Sequence, residues 1–248
     1  MHLDILKTYW DTSWTDLQTI RQHAWGGTVQ HRFIDTIDKT LYFKRFSIRN
    51  PRYLHKPPRA RATVLKELTI YRLGFSTAPI MGLIEKRVAG VLWDSAVISE
   101  ELIDAQPAFM WLNPQGKQRV ISEVQRETLV TSIGNSVGAW HNAGLFHGDM
   151  HMGNIMCSLN NKDEVTVSWL DNEEGKVYSR IPEAKRQNDL GHIARFAFLT
   201  PEHEQRLFWE TYTRTCMISG DEKRNLTDRI ISDANRYWKK KGIDYSVG

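Results

Sequence analysis

Cysteine is nearly missing from this 248-residue chain. Cys157 and Cys216 have no metal-ligand spacing and are too few for a disulfide framework, which excludes a stapled secreted scaffold and a cysteine-held zinc site. Such usage suits a reducing, cytosolic setting. Long apolar runs are missing too: no stretch of about eighteen apolar residues occurs, so no membrane-spanning helix is expected. The N-terminal segment carries Asp4, Asp11 and Asp16 and has no continuous apolar core, so it does not read as a secretory signal. Internal repeats and low-complexity tracts are absent. With 41% hydrophobic and 25% charged residues, the composition is that of an ordinary globular protein able to bury one large core or two smaller ones.

One sign of charge is absent from one region. From Lys39 to Lys66 there is no acid, while Lys39, Lys44, Arg45, Arg49, Arg52, Lys56, Arg59, Arg61 and Lys66 are all basic. The net charge of +4 therefore hides −5 on the rest of the chain. A local cationic patch on an otherwise acidic protein implies a specific anionic partner; the plainer alternative is a solvated face of long side chains.

What is present falls into two halves. Residues 26–46 read as strands, opened by Gly26-Gly27 and turned at Asp38-Lys39. Pro51, Pro57 and Pro58 keep residues 47–61 from forming a long helix. Val64, Leu65, Leu68 and Tyr71 then recur at helical spacing, predicting an amphipathic helix that carries Glu67 and ends near Gly74. Ile80 to Ile84 and Val88 to Ser99 suggest two more strands. A long helix is expected after Asn113-Pro114, with Val130, Ile133, Val137 and Trp140 on one apolar face and Gly144 as its stop. Two short strands follow, around Ile155 and at Val165–Leu170, and then helices to the end. The order predicts an α+β chain: a β-rich half over 1–102 and a helix-rich half over 103–248.

The strongest chemical signal is His147-Gly148-Asp149-Met150-His151-Met152-Gly153-Asn154, with Leu170-Asp171 downstream. Phosphoryl transfer asks a protein for a carboxylate at the acceptor hydroxyl and for hard oxygen ligands around a metal that neutralises the triphosphate. Asp149 suits the first task. Asn154, five residues on, and Asp171, at the end of an apolar strand, suit the second.

HGDMHMGN resembles the H-G-D-x-H-x-x-N catalytic loop of the kinase-like small-molecule phosphotransferases, and WLDNEEG resembles their metal segment. The resemblance implies a bilobal protein-kinase-like fold: a small antiparallel sheet with one main helix, then a mostly helical lobe. It implies ATP and Mg²⁺ as cofactors, with Asp149 and His151 catalytic and Asn154 and Asp171 as metal ligands. His151 stands where protein kinases have a lysine, which places it near the moving phosphoryl group. Asn172-Glu173 replace Phe-Gly, which argues against a regulated activation loop. Lys44 in YFKRF looks like the strand lysine that pairs the ATP phosphates, and Glu67 like the helix carboxylate that pairs that lysine, with Glu85 as its rival. Gly26 and Gly27 match the glycine loop only partly, since no G-x-G-x-x-G is present. Ile98 to Leu102, through Glu100 and Leu102, resembles the hinge whose backbone holds adenine. Asp189 resembles the aspartate that hydrogen-bonds the catalytic-loop backbone; a simple helix N-cap is its alternative. His141 and His192 read as structural, and the nine tryptophans mostly as core or anchors.

Within that superfamily, residues 25–195 are most similar to the bacterial lipopolysaccharide-core kinases, the Kdo and heptose kinases. Compact size, the YFKR strand, the basic loop and the LDNEE segment carry this. It implies an anionic glycolipid or sugar acceptor, and a cytoplasmic enzyme touching the inner membrane peripherally through basic loop 45–61, with Tyr53 and Leu54 at the interface. Other readings stay open: an aminoglycoside- or choline-type kinase using acids such as Glu100-Glu101 and Glu173-Glu174, a small atypical protein kinase, or a non-catalytic ATP-binding scaffold. No nucleic-acid partner is expected, because the basic patch lacks interleaved aromatics and any binding motif.

Overall fold

The computed structural model describes residues 18–22, 28–34, 38–47, 59–113, 121–195 and 200–242. The chain divides into two compact units, one of Met1–Arg72 with Thr77–Leu102 and one of Leu73–Ser76 with Ile103–Gly248.

The first unit is built on a five-stranded sheet. Its strands are β1 (Gln18–Gln22), β2 (Thr28–Ile34), β3 (Lys39–Ser47), β5 (Ile80–Val88) and β6 (Val91–Glu100), in the order β1-β2-β3-β6-β5, with every neighbouring pair antiparallel. Asp38, at positive φ, completes the turn into β3, as a short polar side chain in a turn can. Val88 to Ser99 is not one strand. Ala89 and Gly90 both take positive φ, so the chain reverses there, and the hairpin begins in a two-residue turn matched to strand twist.

Helix α1 (Arg59–Arg72) packs on this sheet, but of the stripe expected of it only Val64 reaches the sheet's cluster. Leu65 and Tyr71 are 65% and 70% exposed, and Leu68 is exposed as well. The buried positions are Ala60, Thr63, Glu67 and Ile70, spaced three or four apart along the opposite side. The reason lies in the sheet: Phe46 and Val97 form a small cluster with Ala60, flanked by Val64, Ile80 and Leu83. A large side chain at position 60 would lift the helix off that row.

The second unit is mostly helical. After α2 (Ala108–Leu112), the long helix α3 (Glu123–Asn142) begins at a capping box, not near Asn113-Pro114. The Ser122 hydroxyl accepts the Gln125 N–H at 3.2 Å while the Gln125 side chain accepts the Ser122 N–H at 2.9 Å, so two otherwise orphaned donors are satisfied. Val130, Ile133, Val137 and Trp140 are all buried, as their spacing predicts. Then come β8 (Leu145–Phe146), β9 (Ile155–Leu159), β10 (Val165–Trp169) and β11 (Lys176–Val177), followed by α4 (Glu183–Ala194), α5 (Glu202–Thr215) and α6 (Gly220–Lys240). Two short strands, β4 (Ser76–Thr77) and β7 (Gln106–Pro107), flank the β9–β10 hairpin in the order β4-β10-β9-β7. Trp140 and Trp169, both fully buried with rings 4.5 Å apart, form the floor on which the following loop rests.

Candidate active site

The segment 147–154 lies between β8 and β9, and its backbone is held from below by one side chain. Asp189, fully buried in the middle of α4, accepts the His147 N–H at 2.8 Å on one carboxylate oxygen and the Gly148 N–H at 2.9 Å on the other. A mid-helix position excludes the simple N-cap alternative. Gly148 sits at φ +89, and a Cβ there would approach the Glu174 side chain to 2.8 Å, so glycine is needed for the turn to close.

His147 joins this loop to the strand that leads to Asp171. Its Nδ1 accepts the Asp149 N–H at 3.2 Å, so the ring proton lies on Nε2 and is donated to the Leu170 carbonyl at 3.0 Å. Burial keeps this imidazole neutral by pushing its pKa below the ordinary value, and packing against Trp140 and Trp169 supplies that burial. The Leu170 N–H in turn donates to the Asn154 carbonyl at 2.9 Å, extending the β9–β10 ladder by one pair. Asn154 and the residue preceding Asp171 are thus adjacent. Asp171 itself takes a left-handed conformation, φ 59 and ψ 43, which aspartate adopts more readily than most residues.

Asp149 projects from the loop with its side chain 46% exposed. Its Oδ1 lies 3.2 Å from His192 Nδ1, and its Oδ2 lies 3.4 Å from Asn154 Nδ2 and 3.6 Å from His151 Nε2. The hydrogen bond from His192 leads the effects that hold this carboxyl below the usual aspartate range, against an opposing desolvation. Asp149 is therefore an ionised, weakly basic acceptor fixed in orientation. His151 Nδ1 accepts the Gly153 N–H at 2.9 Å, which leaves its proton on Nε2, facing the space beside Asp149. A Cβ on Gly153 would come within 2.8 Å of that ring, so the glycine lets the imidazole lie over the loop.

His192, expected to be structural, touches Asp149. It follows Asp189 by three residues, one turn along the same face of α4, so the helix that clamps the loop also presents this imidazole to it. That spacing was the available signal. His141 is structural as expected: it is buried, with Nδ1 2.9 Å from the Tyr212 hydroxyl and Nε2 3.5 Å from Asp189.

The donor set fits a hard divalent cation. Asn154 Nδ2 donates to the Asp149 carbonyl at 2.9 Å, which turns its Oδ1 away from the loop. That amide oxygen and the Asp171 carboxylate are the ligand types that Mg²⁺ prefers.

The residues expected on the nucleotide side belong to the first unit. Lys44 stands opposite Val97 in register and shares the Phe46 face of β3, its Nζ 6.0 Å from the Phe46 ring centre. Glu67 is buried on the side of α1 that covers the same face. The rival Glu85 is committed elsewhere, to Arg61 at 2.6 Å and Arg87 at 3.0 Å. At the end of β6 the Glu100 carboxylate pairs with Lys39 at 2.7 Å and the Glu100 N–H donates to Pro79 at 2.9 Å, while the Leu102 N–H has no acceptor among the described residues. Gly26, Gly27, Tyr53, Leu54 and most of loop 45–61 lie outside the described residues.

The family model for lipopolysaccharide kinases (Kdo/WaaP) matches residues 11–213. The chain belongs to that family. It is a kinase acting on a sugar of the lipopolysaccharide core, and ATP use follows from the family's activity. Among solved structures the kinase is similar to one titled "WaaP in complex with acyl carrier protein", with 18% identity, a TM-score of 0.67, and 89% of this chain and 88% of that chain covered. That likeness shows the protein-kinase-like fold. No curated relative matches the kinase. Among the described residues no helix is long and apolar enough to cross a membrane.

Proposed function

We propose that this kinase transfers the terminal phosphoryl group of ATP to a hydroxyl of an anionic, lipid-linked core sugar, with Mg²⁺ as the required cation. The observation that carries this reading is the placement of Asp149: an ionised carboxylate, half exposed and fixed by His192, in a loop whose backbone Asp189 clamps.

Asp149 accepts a hydrogen bond from the acceptor hydroxyl and aims its oxygen at the terminal phosphorus. As the new O–P bond forms and the bridging P–O bond to ADP breaks, the hydroxyl proton passes to an Asp149 oxygen. His151 donates its Nε2–H to an oxygen of the moving phosphoryl group, where negative charge must be stabilised. Asn154 and Asp171 hold Mg²⁺, which neutralises phosphate charge when bound. Lys44 contributes a positive charge to the α/β phosphates and Glu67 fixes its position. The backbone at Glu100 and Leu102 binds adenine, and Gly26-Gly27 covers the phosphates with backbone N–H groups. The basic loop 45–61 meets the anionic acceptor and the inner face of the membrane.

A panel of acceptors with labelled ATP and Mg²⁺ tests this: core glycolipid, neutral free sugars, aminoglycosides, choline and casein. Label is expected on the core glycolipid, at least about tenfold above neutral sugars, about 1.4 kcal/mol in transition-state preference. Equal transfer to neutral sugars would remove the role given to the basic loop, and transfer to casein or aminoglycosides alone would overturn the acceptor.

A further inference from the structure

The tip of the β5–β6 hairpin exposes apolar side chains with no use in the first unit's core. Val88, Val91 and Trp93 are 51%, 48% and 61% exposed, and Val88 and Val91 are direct cross-strand partners beside the turn. Trp93 owes its position to a register shift. Lys86 pairs with Asp94 and the next residue, Arg87, pairs with Leu92, so Trp93 is the extra residue of a β-bulge, a device that re-aims a side chain. A sheet that needed Trp93 for its own core would gain by burying it.

Below this tip the charge is positive. Lys86 is exposed. Arg87 folds along the hairpin, donating to the Gly90 carbonyl at 3.2 Å and to Glu85 at 3.0 Å. Arg61 of α1 closes on the same Glu85 carboxylate at 2.6 Å, which leaves that acid outnumbered by two guanidinium groups. The other nearby acid, Asp94, is buried and paired with Arg45. The hairpin therefore presents an apolar end, an indole at its shoulder and a cationic neck, in that order along its length.

We propose that this hairpin docks on an anionic phospholipid surface, Val88 and Val91 entering the acyl boundary, Trp93 lying at headgroup level, and Lys86, Arg61 and Arg87 meeting lipid phosphates. Each zone matches the corresponding layer of a bilayer leaflet. A folded protein partner fits less well, since a specific interface buries about 800 Å² per side, more than a two-strand tip offers. This inference does not rest on the catalytic assignments, and apart from Arg61, the last residue of basic loop 45–61, it concerns a different segment from that loop.

Flotation of the full-length protein with vesicles tests it. Vesicles of phosphatidylethanolamine and phosphatidylglycerol, mixed at roughly three to one, carry the negative surface; phosphatidylcholine vesicles are the neutral control. Wild type is expected to float with the anionic vesicles only, and to release as salt rises above physiological strength. The V91S/W93S double variant and, separately, K86E should each weaken binding about tenfold, while a loop variant, R49S/R52S, keeps the hairpin's share. Thermal unfolding of V91S/W93S should match wild type, and its transfer to lipid-free core oligosaccharide should stay within about twofold, so lost flotation is not lost folding. Equal flotation of V91S/W93S and wild type, binding to neutral vesicles alone, or a W93S-sensitive dimer that ignores lipid would each overturn the proposal.

Discussion

Removing the Asp189 carboxylate should loosen the 147–154 loop and destabilise the unit that carries it. In Asp189→Ala the His147 and Gly148 N–H groups, now bonded at 2.8 and 2.9 Å, lose their acceptors, the first in a fully buried place and the second in a partly buried one. Each orphaned donor costs about 1–3 kcal/mol, with the upper end favoured because the bonds are charge-assisted. His141, 3.5 Å from the same carboxylate, loses its neighbour too. The sum is about 3–5 kcal/mol, or a fall in Tm of around 10 °C for a chain of this size. Asp189→Asn keeps one acceptor and points an amide N–H at the other donor, so it should fall between. Turnover should drop more than stability alone explains, because the displaced backbone bears Asp149 and a shift of about 1 Å at a reacting group costs roughly a hundredfold. Urea unfolding followed by tryptophan fluorescence, beside steady-state kinetics, reads both. Asp189→Ala with stability within about 1 kcal/mol of wild type and turnover within twofold would refute the clamp.

Stability should also depend on pH through two buried imidazoles. His141 and His147 are held neutral by burial, their pKa values pushed below the ordinary 6.5, so the unfolded chain binds protons that the folded chain does not. Stability should then fall as pH drops below about 6.5, by up to about 1.4 kcal/mol per pH unit for each histidine, whereas the depressed pKa of Asp149 withdraws its contribution only below the usual aspartate range. Urea unfolding from pH 7.5 to 5 measures the slope, and a flat profile contradicts it. His192→Ala should lower kcat about tenfold with little change in the KM for ATP, and His192→Asn, which keeps a donor near the Nδ1 position, should recover most of the loss. Equal kcat in wild type and His192→Ala removes the positioning role. On helix α1, Ile70→Ala should cost about 2–4 kcal/mol while Leu65→Ser stays within about 0.5 kcal/mol, and the reverse order in thermal unfolding would restore the outward stripe to the core.

The candidate loop is legible in residue order because its contacts are local: His147, Gly148, Asp149 and Asn154 lie within eight consecutive positions, and the β9–β10 ladder brings Leu170 back to Asn154. Chain reversals are legible where a marking residue stands, as at Asp38 before β3 and at Gly144, which ends α3. Helix α1 was found but turned the wrong way. Apolar spacing picks the most hydrophobic stripe, whereas the sheet beneath selects small residues at Ala60 and Thr63 and a carboxylate at Glu67. His192 escaped for a related reason: its role depends on Asp189 being mid-helix, and with Asp189 open to an N-cap reading no face of α4 was assigned. The bulge at Trp93 is set by the pairing of two strands, which neither strand encodes alone.

In the proposed mechanism Asp149 handles the acceptor hydroxyl while Asn154 and Asp171 serve the cation. Phosphoryl transfer by Asp149→Asn at saturating ATP and Mg²⁺, with the ATP Kd measured on the same preparation, tests it most directly. Transfer is expected at least about a thousandfold below wild type, with Kd changed less than about threefold. Transfer within tenfold of wild type, or a Kd lost together with turnover, would contradict it.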